Sequence, residues 1–192
     1  MDAMSHAVEA IHSQQKEPIA DGLALHAIRL IAEFLPRAVA DGADLHARGQ
    51  MLIASNMAGA AFSNAQVGLV HAMAHTVGAR HGIHHGLANS IVMPHVVRFN
   101  AGEVASAYRP IAEALGVAVG GLSDEACAEE VASRLSSLAA RTGLPQTLSS
   151  QGVPEEALPE IAEATLADAS IIYNGRTVLG AEELLEVYRA AF

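Results

Sequence analysis

Residues 43–80, ADLHARGQMLIASNMAGAAFSNAQVGLVHAMAHTVGAR, contain no proline and consist mostly of small and apolar side chains. The run reads as one long or two consecutive buried helices, with Gly59, Ala60 and Ala61 allowing close backbone approach. The rest of the chain agrees. Leu23, Ala27, Leu30, Ile31 and Phe34 recur at helical spacing, and Pro36 is the expected stop of that helix. Ser123 followed by Asp124 and Glu125 forms a helix start, with the acids at the positive end of the dipole, and this helix runs towards Gly143 and Pro145. Pro154, with Glu155 and Glu156 behind it, opens a further helix, and AEELLEVYRAAF closes the chain with another. Only IIY at 171–173 has strand character. Aromatics make up 4% of the residues and Trp is absent, so the core must be Ala, Leu, Ile, Val and Met, a palette of close-packed helices. The expectation is an all-α bundle forming one domain over residues 1–192.

Charge and pattern exclude several function classes. A net charge of −10, with only 11 scattered Lys and Arg, is the wrong sign for a nucleic-acid backbone. No window approaches a membrane span, and the N-terminus lacks the basic-then-apolar layout of a signal peptide. The single Cys127 excludes an internal disulfide and fits a reducing compartment, so the chain is expected to be cytoplasmic.

The stretch 71–86, HAMAHTVGARHGIHHG, holds five of the ten histidines. Residues four apart on a helix share a face. His71 and His75 have that separation, as do Asp2 and His6 in MDAMSH. His85 lies beyond Gly78 and Gly82, in a Gly-broken loop able to fold back over the same helix end. His12, His26, His46, His81 and His95 read as core or boundary residues. Spacing alone leaves two readings of the remainder open, a metal site and a chance cluster of buried imidazoles. Were a metal bound, one carboxylate and three imidazoles would suit a divalent first-row ion such as Fe or Zn rather than Ca or Mg.

The segment GLVHAMAHTVGARHGIHHGLANSIVMPHVVRFN (68–100) resembles the metal-binding signature of iron-containing (group III) alcohol dehydrogenases, G-x-x-H-x-x-A-H-x-x-G-x-x-x-x-x-P-H-G. Gly68, His71, Ala74, His75, Gly78, His85 and Gly86 match it. DAMSHAVEA at the start resembles the same family's D-A-x-x-H-A-x-E-A element. The resemblance implies the helical C-terminal domain of that family, with Asp2, His6, His71 and His85 as ligands of a divalent metal, Fe2+ first and Zn2+ as the alternative. His75 matches the signature histidine that lies beside the metal, and it is the candidate for the catalytic proton relay, because an imidazole titrates near neutral pH. Three positions depart from the pattern. His84 replaces the proline before the last ligand and becomes an alternative or extra ligand, Thr76 stands where proline is common, and so does Gly175.

The activity implied is metal-assisted, NAD(P)-dependent interconversion of an alcohol with its aldehyde or ketone. The partners implied are a small alcohol or aldehyde and, through an exposed apolar face, further copies of the chain. The family's N-terminal α/β nucleotide-binding domain has no counterpart here. GVAVGG at 116–121 lacks the phosphate-binding pattern and reads as a loop. The expectation is a chain that binds metal but does not turn over NAD(P) alone. A non-catalytic metal-binding helical module is the alternative. A metallohydrolase ranks last, since Ala72 stands where an H-E-x-x-H helix carries its glutamate.

Overall fold

Ala47, Ala54, Ala58, Ala61 and Ala65 are all fully buried and lie at helical spacing, so they form a smooth stripe along one side of a helix. In the computed structural model, which describes all 192 residues, this stripe belongs to α3 (Leu45–Ala65). It packs against α2 (Pro18–Ala40), whose Ala20, Ala24, Ala27, Ile31 and Phe34 repeat the same spacing, and against α1 (Asp2–His12). The long apolar run thus resolves into two helices. It breaks at Gln66, which is forced to φ 68°, and at Gly68, before α4 (Leu69–His81) begins. The remaining helices are α5 (His85–Val104), α6 (Tyr108–Ala114), α7 (Asp124–Arg141), α8 (Leu158–Thr165) and α9 (Ala181–Ala190).

The all-α expectation holds: there is no β-strand. IIY does not form one. Residues Ala169–Tyr173 make a 3-10 turn, opened by the Asp168 side chain accepting from the Ser170 N–H. Pro36 does not stop α2, which continues to Ala40. Proline removes the bond to the Ala32 carbonyl, but Ala32 and Pro36 are both only part-buried, so that carbonyl can reach water while buried Phe34 keeps the helix on its neighbours. Ser123 caps α7 as expected, accepting from the Ala126 N–H, and Gly143 follows its end at φ 77°. Pro154 leads into a 3-10 turn, Glu155–Ala157, which runs on into α8.

Forty-six buried apolar side chains form one contiguous cluster. α4 and α5 cross this core, burying nearly everything from Leu69 to Ala74 and from Ala88 to Val97. α1 contacts α2, α3, α4 and α5, so its first turn is held against the facing turns of α4 and α5. No helix is long and apolar enough to cross a membrane.

Candidate metal centre

Three helix segments bring the donors together. Asp2 and His6 come from the first two turns of α1, His71 from the first turn of α4, and His85 is the first residue of α5. His85 is therefore a helical residue rather than a loop residue. The connection that aims it is short: Gly82 takes φ 69° to end α4, and α5 starts after His84. Gly86 completes the approach, since a Cβ there would lie 3.0 Å from Cβ of Asp2.

One donor atom from each of Asp2, His6 and His71 fits within 4.8 Å of the other two. His85 joins from the α5 side, its Nε2 3.4 Å from Asp2 Oδ1. The hydrogen bonds around the rings fix which nitrogen is free. His6 Nδ1 lies 3.0 Å from the Asp2 carbonyl oxygen and donates to it, while His71 Nδ1 lies 2.5 Å from Glu9 Oε2 and donates there. The Nε2 atoms of His6 and His71 are left facing each other at 3.1 Å. The cluster is thus a cage of acceptors with one donor group inside it. That group is the Asn89 amide, whose Nδ2 lies 2.9 Å from Asp2 Oδ1, 3.0 Å from His85 Nε2 and 3.4 Å from His71 Nε2. One amide nitrogen is shared among three atoms, and the Asn89 Oδ1 atom is buried with no partner at all. Such a cage favours positive charge, and its mixed N/O donors fit a divalent transition metal.

Electrostatics point the same way. Burial, followed by the neighbouring His71, lowers the His6 imidazole from its ordinary value, and burial lowers His85 likewise. Neutral rings are the ligating form. Burial works to raise the Asp2 carboxyl, but the Asn89 hydrogen bond and the imidazoles around it hold it below the usual range.

His75 stands beside the cage. Its ring stacks on His85 with centroids 5.3 Å apart, its side chain is 43% exposed, and its Nδ1 donates to Asp168 Oδ2 at 2.8 Å. The i, i+4 pair His71 and His75 therefore divides, with one ring turned into the cage and the other turned to the 3-10 turn. His84 is exposed and makes no hydrogen bond or ion pair with the cluster. It lines an open groove of about 400 Å³ with Met1, Asp2, Gly86, Leu87 and Leu144. His12 is buried, accepting from Asn100 at Nε2 and meeting the Tyr108 hydroxyl at Nδ1; His26 and His46 are exposed, and His81 and His95 part-buried. None of these five joins the cage.

Sequence reasoning missed Glu9, Asn89 and Asp168. Glu9 lies inside the quoted DAMSHAVEA element, and its glutamate on an otherwise apolar face of α1 was the available signal. Asp168 and Asn89 carried none, because each acquires meaning only from a partner far away in the chain.

Across residues 1–192 the chain matches the family described as Fe-containing alcohol dehydrogenase family, C-terminal. It is 43% identical over 192 residues to the 1,3-propanediol dehydrogenase of Citrobacter freundii, covering 100% of this chain and 49% of that one. To the NAD-dependent methanol dehydrogenase of Bacillus methanolicus it is 39% identical over 191 residues, covering 100% and 50%. The solved structure of the alcohol dehydrogenase from Oenococcus oeni superposes with a TM-score of 0.97 at 32% identity, over 100% of this chain and 50% of that one. The chain spans about half the length of the curated relatives it matches. A match that runs from Met1 to Phe192 and reproduces the fold shows that the chain belongs to the Fe-containing alcohol dehydrogenase family, of which it represents the C-terminal part.

Proposed function

We propose that residues 1–192 form a single metal-binding domain of an enzyme that interconverts small alcohols with their aldehydes or ketones, using NAD(P). In this reading Asp2, His6, His71 and His85 hold one divalent cation, Fe2+ first and Zn2+ second, and His84 stays outside the ligand set. The observation that carries it is the acceptor cage, with the Nε2 atoms of His6 and His71 3.1 Å apart and only the Asn89 amide to offset them. The chemistry such a cation supplies is Lewis acidity towards an alcohol or carbonyl oxygen.

The chain's own residues supply the rest. Donation from His75 Nδ1 to Asp168 leaves the His75 Nε2 lone pair free, beside His85 and open to solvent. That atom takes the hydroxyl proton when the alcohol is oxidised and returns one when the carbonyl is reduced. With no strand among residues 1–192, the Gly-rich turn between strand and helix that holds a pyrophosphate is not built from them. The dinucleotide's pyrophosphate is therefore held by residues outside 1–192. Self-association belongs to the same reading: Leu45 and Leu52, two turns apart on α3, are 78% and 75% exposed. The free, buried thiol of Cys127 supports a cytoplasmic setting.

The test measures bound Fe2+ or Zn2+ and alcohol-dependent NAD(P)H formation in the 192-residue chain and in its His71→Ala variant. The expected result is one metal per chain without turnover, and loss of metal in the variant. Full occupancy in the variant would contradict the ligand set, and robust turnover by the chain alone would contradict a nucleotide site elsewhere.

A further inference from the structure

Glu9 sits one turn after His6 on α1 with none of its surface exposed, and no Lys or Arg pairs with it. Both of its carboxylate oxygens face donors on α4. Oε1 accepts from the Val70 N–H at 2.6 Å, and Oε2 accepts from His71 Nδ1 at 2.5 Å. The Val70 N–H belongs to the first turn of α4, where helix geometry leaves it without an intrahelical partner, and a backbone N–H can only donate. Glycine at position 68 admits the carboxylate, since a Cβ there would lie 3.3 Å from Glu9 Oε1 and 3.0 Å from the Asn174 Cα. A carboxylate offers only acceptors, so the ring proton of His71 has to sit on Nδ1, and Nε2 presents a lone pair to the cage.

We propose that Glu9 is a positioning residue that fixes the tautomer of His71 and thereby makes His71 Nε2 available to a metal. This rests on the ligand reading given above. A carboxylate hydrogen-bonded to the far nitrogen of a ligating imidazole orients the ring and raises its basicity.

Glu9→Gln preserves the shape of the side chain and replaces one acceptor oxygen by a donor. The immovable Val70 N–H claims the amide oxygen, so the amide NH2 faces His71 Nδ1. That nitrogen must then accept, and the ring proton moves to Nε2, the atom needed in the cage. The number of hydrogen bonds is unchanged while one of them reverses direction.

The experiment uses histidine labelled with 15N in the metal-free chain, at a pH where the imidazoles are neutral, together with Zn2+ titration against a competing chelator. In the wild type His71 is expected to carry its proton on Nδ1. In Glu9→Gln the proton is expected on Nε2, with helical content unchanged and Zn2+ affinity lowered about 10–100-fold. An Nε2–H tautomer in the metal-free wild type overturns the proposal without any variant. Wild-type Zn2+ affinity and an Nδ1–H tautomer in Glu9→Gln overturn it too, while leaving the ligand set standing. Undiminished Zn2+ binding by His71→Ala overturns the ligand set itself.

Discussion

His6 and His71 point their Nε2 atoms at one another across 3.1 Å, each having committed its proton to an oxygen on the far side of the ring. Neutral rings oriented in this way cannot hydrogen-bond to each other, and a cation between them would satisfy both lone pairs. Any ligand that binds only the native state stabilises it by mass action, about 2.7 kcal/mol at a hundredfold excess over Kd. For a chain of this size the melting temperature is expected to rise by roughly 5–10 °C at saturating Zn2+. Thermal melts with and without the ion check this, and His71→Ala should show no rise.

His75 and His71 occupy one face of α4 yet have different partners, so their variants should separate. In the complete enzyme His75→Ala is expected to lower kcat about 10²–10⁴-fold, the range for a lost acid–base group, with metal affinity nearly unchanged. Asp168→Asn, which weakens the hold on His75 Nδ1, should lower kcat in the same direction by less. Metal content measured alongside kinetics decides it: loss of metal in His75→Ala would make His75 a ligand.

Complete burial of His12, opposed only by the charge of Glu9, pushes its imidazole down from 6.5 to about 4. The unfolded chain then takes up a proton that the native chain refuses. Stability is fully present above pH 6.5, falls as the pH drops below it, and is reduced by on the order of 3 kcal/mol once the pH passes about 4. Urea unfolding of the metal-free chain at several pH values measures this. His12→Gln should flatten the dependence by up to one proton, about 1.4 kcal/mol per pH unit.

Gly175 lies against the His12 backbone, and a Cβ at this position would collide with the His12 carbonyl oxygen. Next to it, Asn174 is fully buried and exchanges hydrogen bonds with Asn100 at 2.7 and 2.9 Å. Gly175→Ala should therefore cost about 1–3 kcal/mol by overpacking, read as a lower midpoint in urea. The same clash explains why this loop has no room for a proline in its present form.

That Asp2 and His6 share one helix face was legible because helix geometry is local, whereas their meeting with His71 and His85 was implied by the family resemblance alone. Asp2 with His6, and His71 within its segment, needed only a four-residue spacing to be placed on a face. What spacing could not decide was the use of each second ring nitrogen. Glu9 meets His71 62 residues away, and His75 meets Asp168 93 residues away. Pro36 misled for the opposite reason: a local rule about helix breaking yielded where the freed Ala32 carbonyl is only part-buried and Phe34, in the preceding turn, is packed. At 171–173, β-propensity lost to the Asp168 side chain, which caps a 3-10 turn instead.

The most direct test of the centre is X-ray absorption spectroscopy at the metal edge of the Zn2+-loaded chain, which counts imidazoles by their multiple scattering. Three imidazoles and one carboxylate oxygen are expected in the wild type, and two imidazoles in any single His6, His71 or His85 variant that retains metal. A wild-type shell without three imidazoles, or a shell unchanged in all three variants, would contradict the assignment of Asp2, His6, His71 and His85.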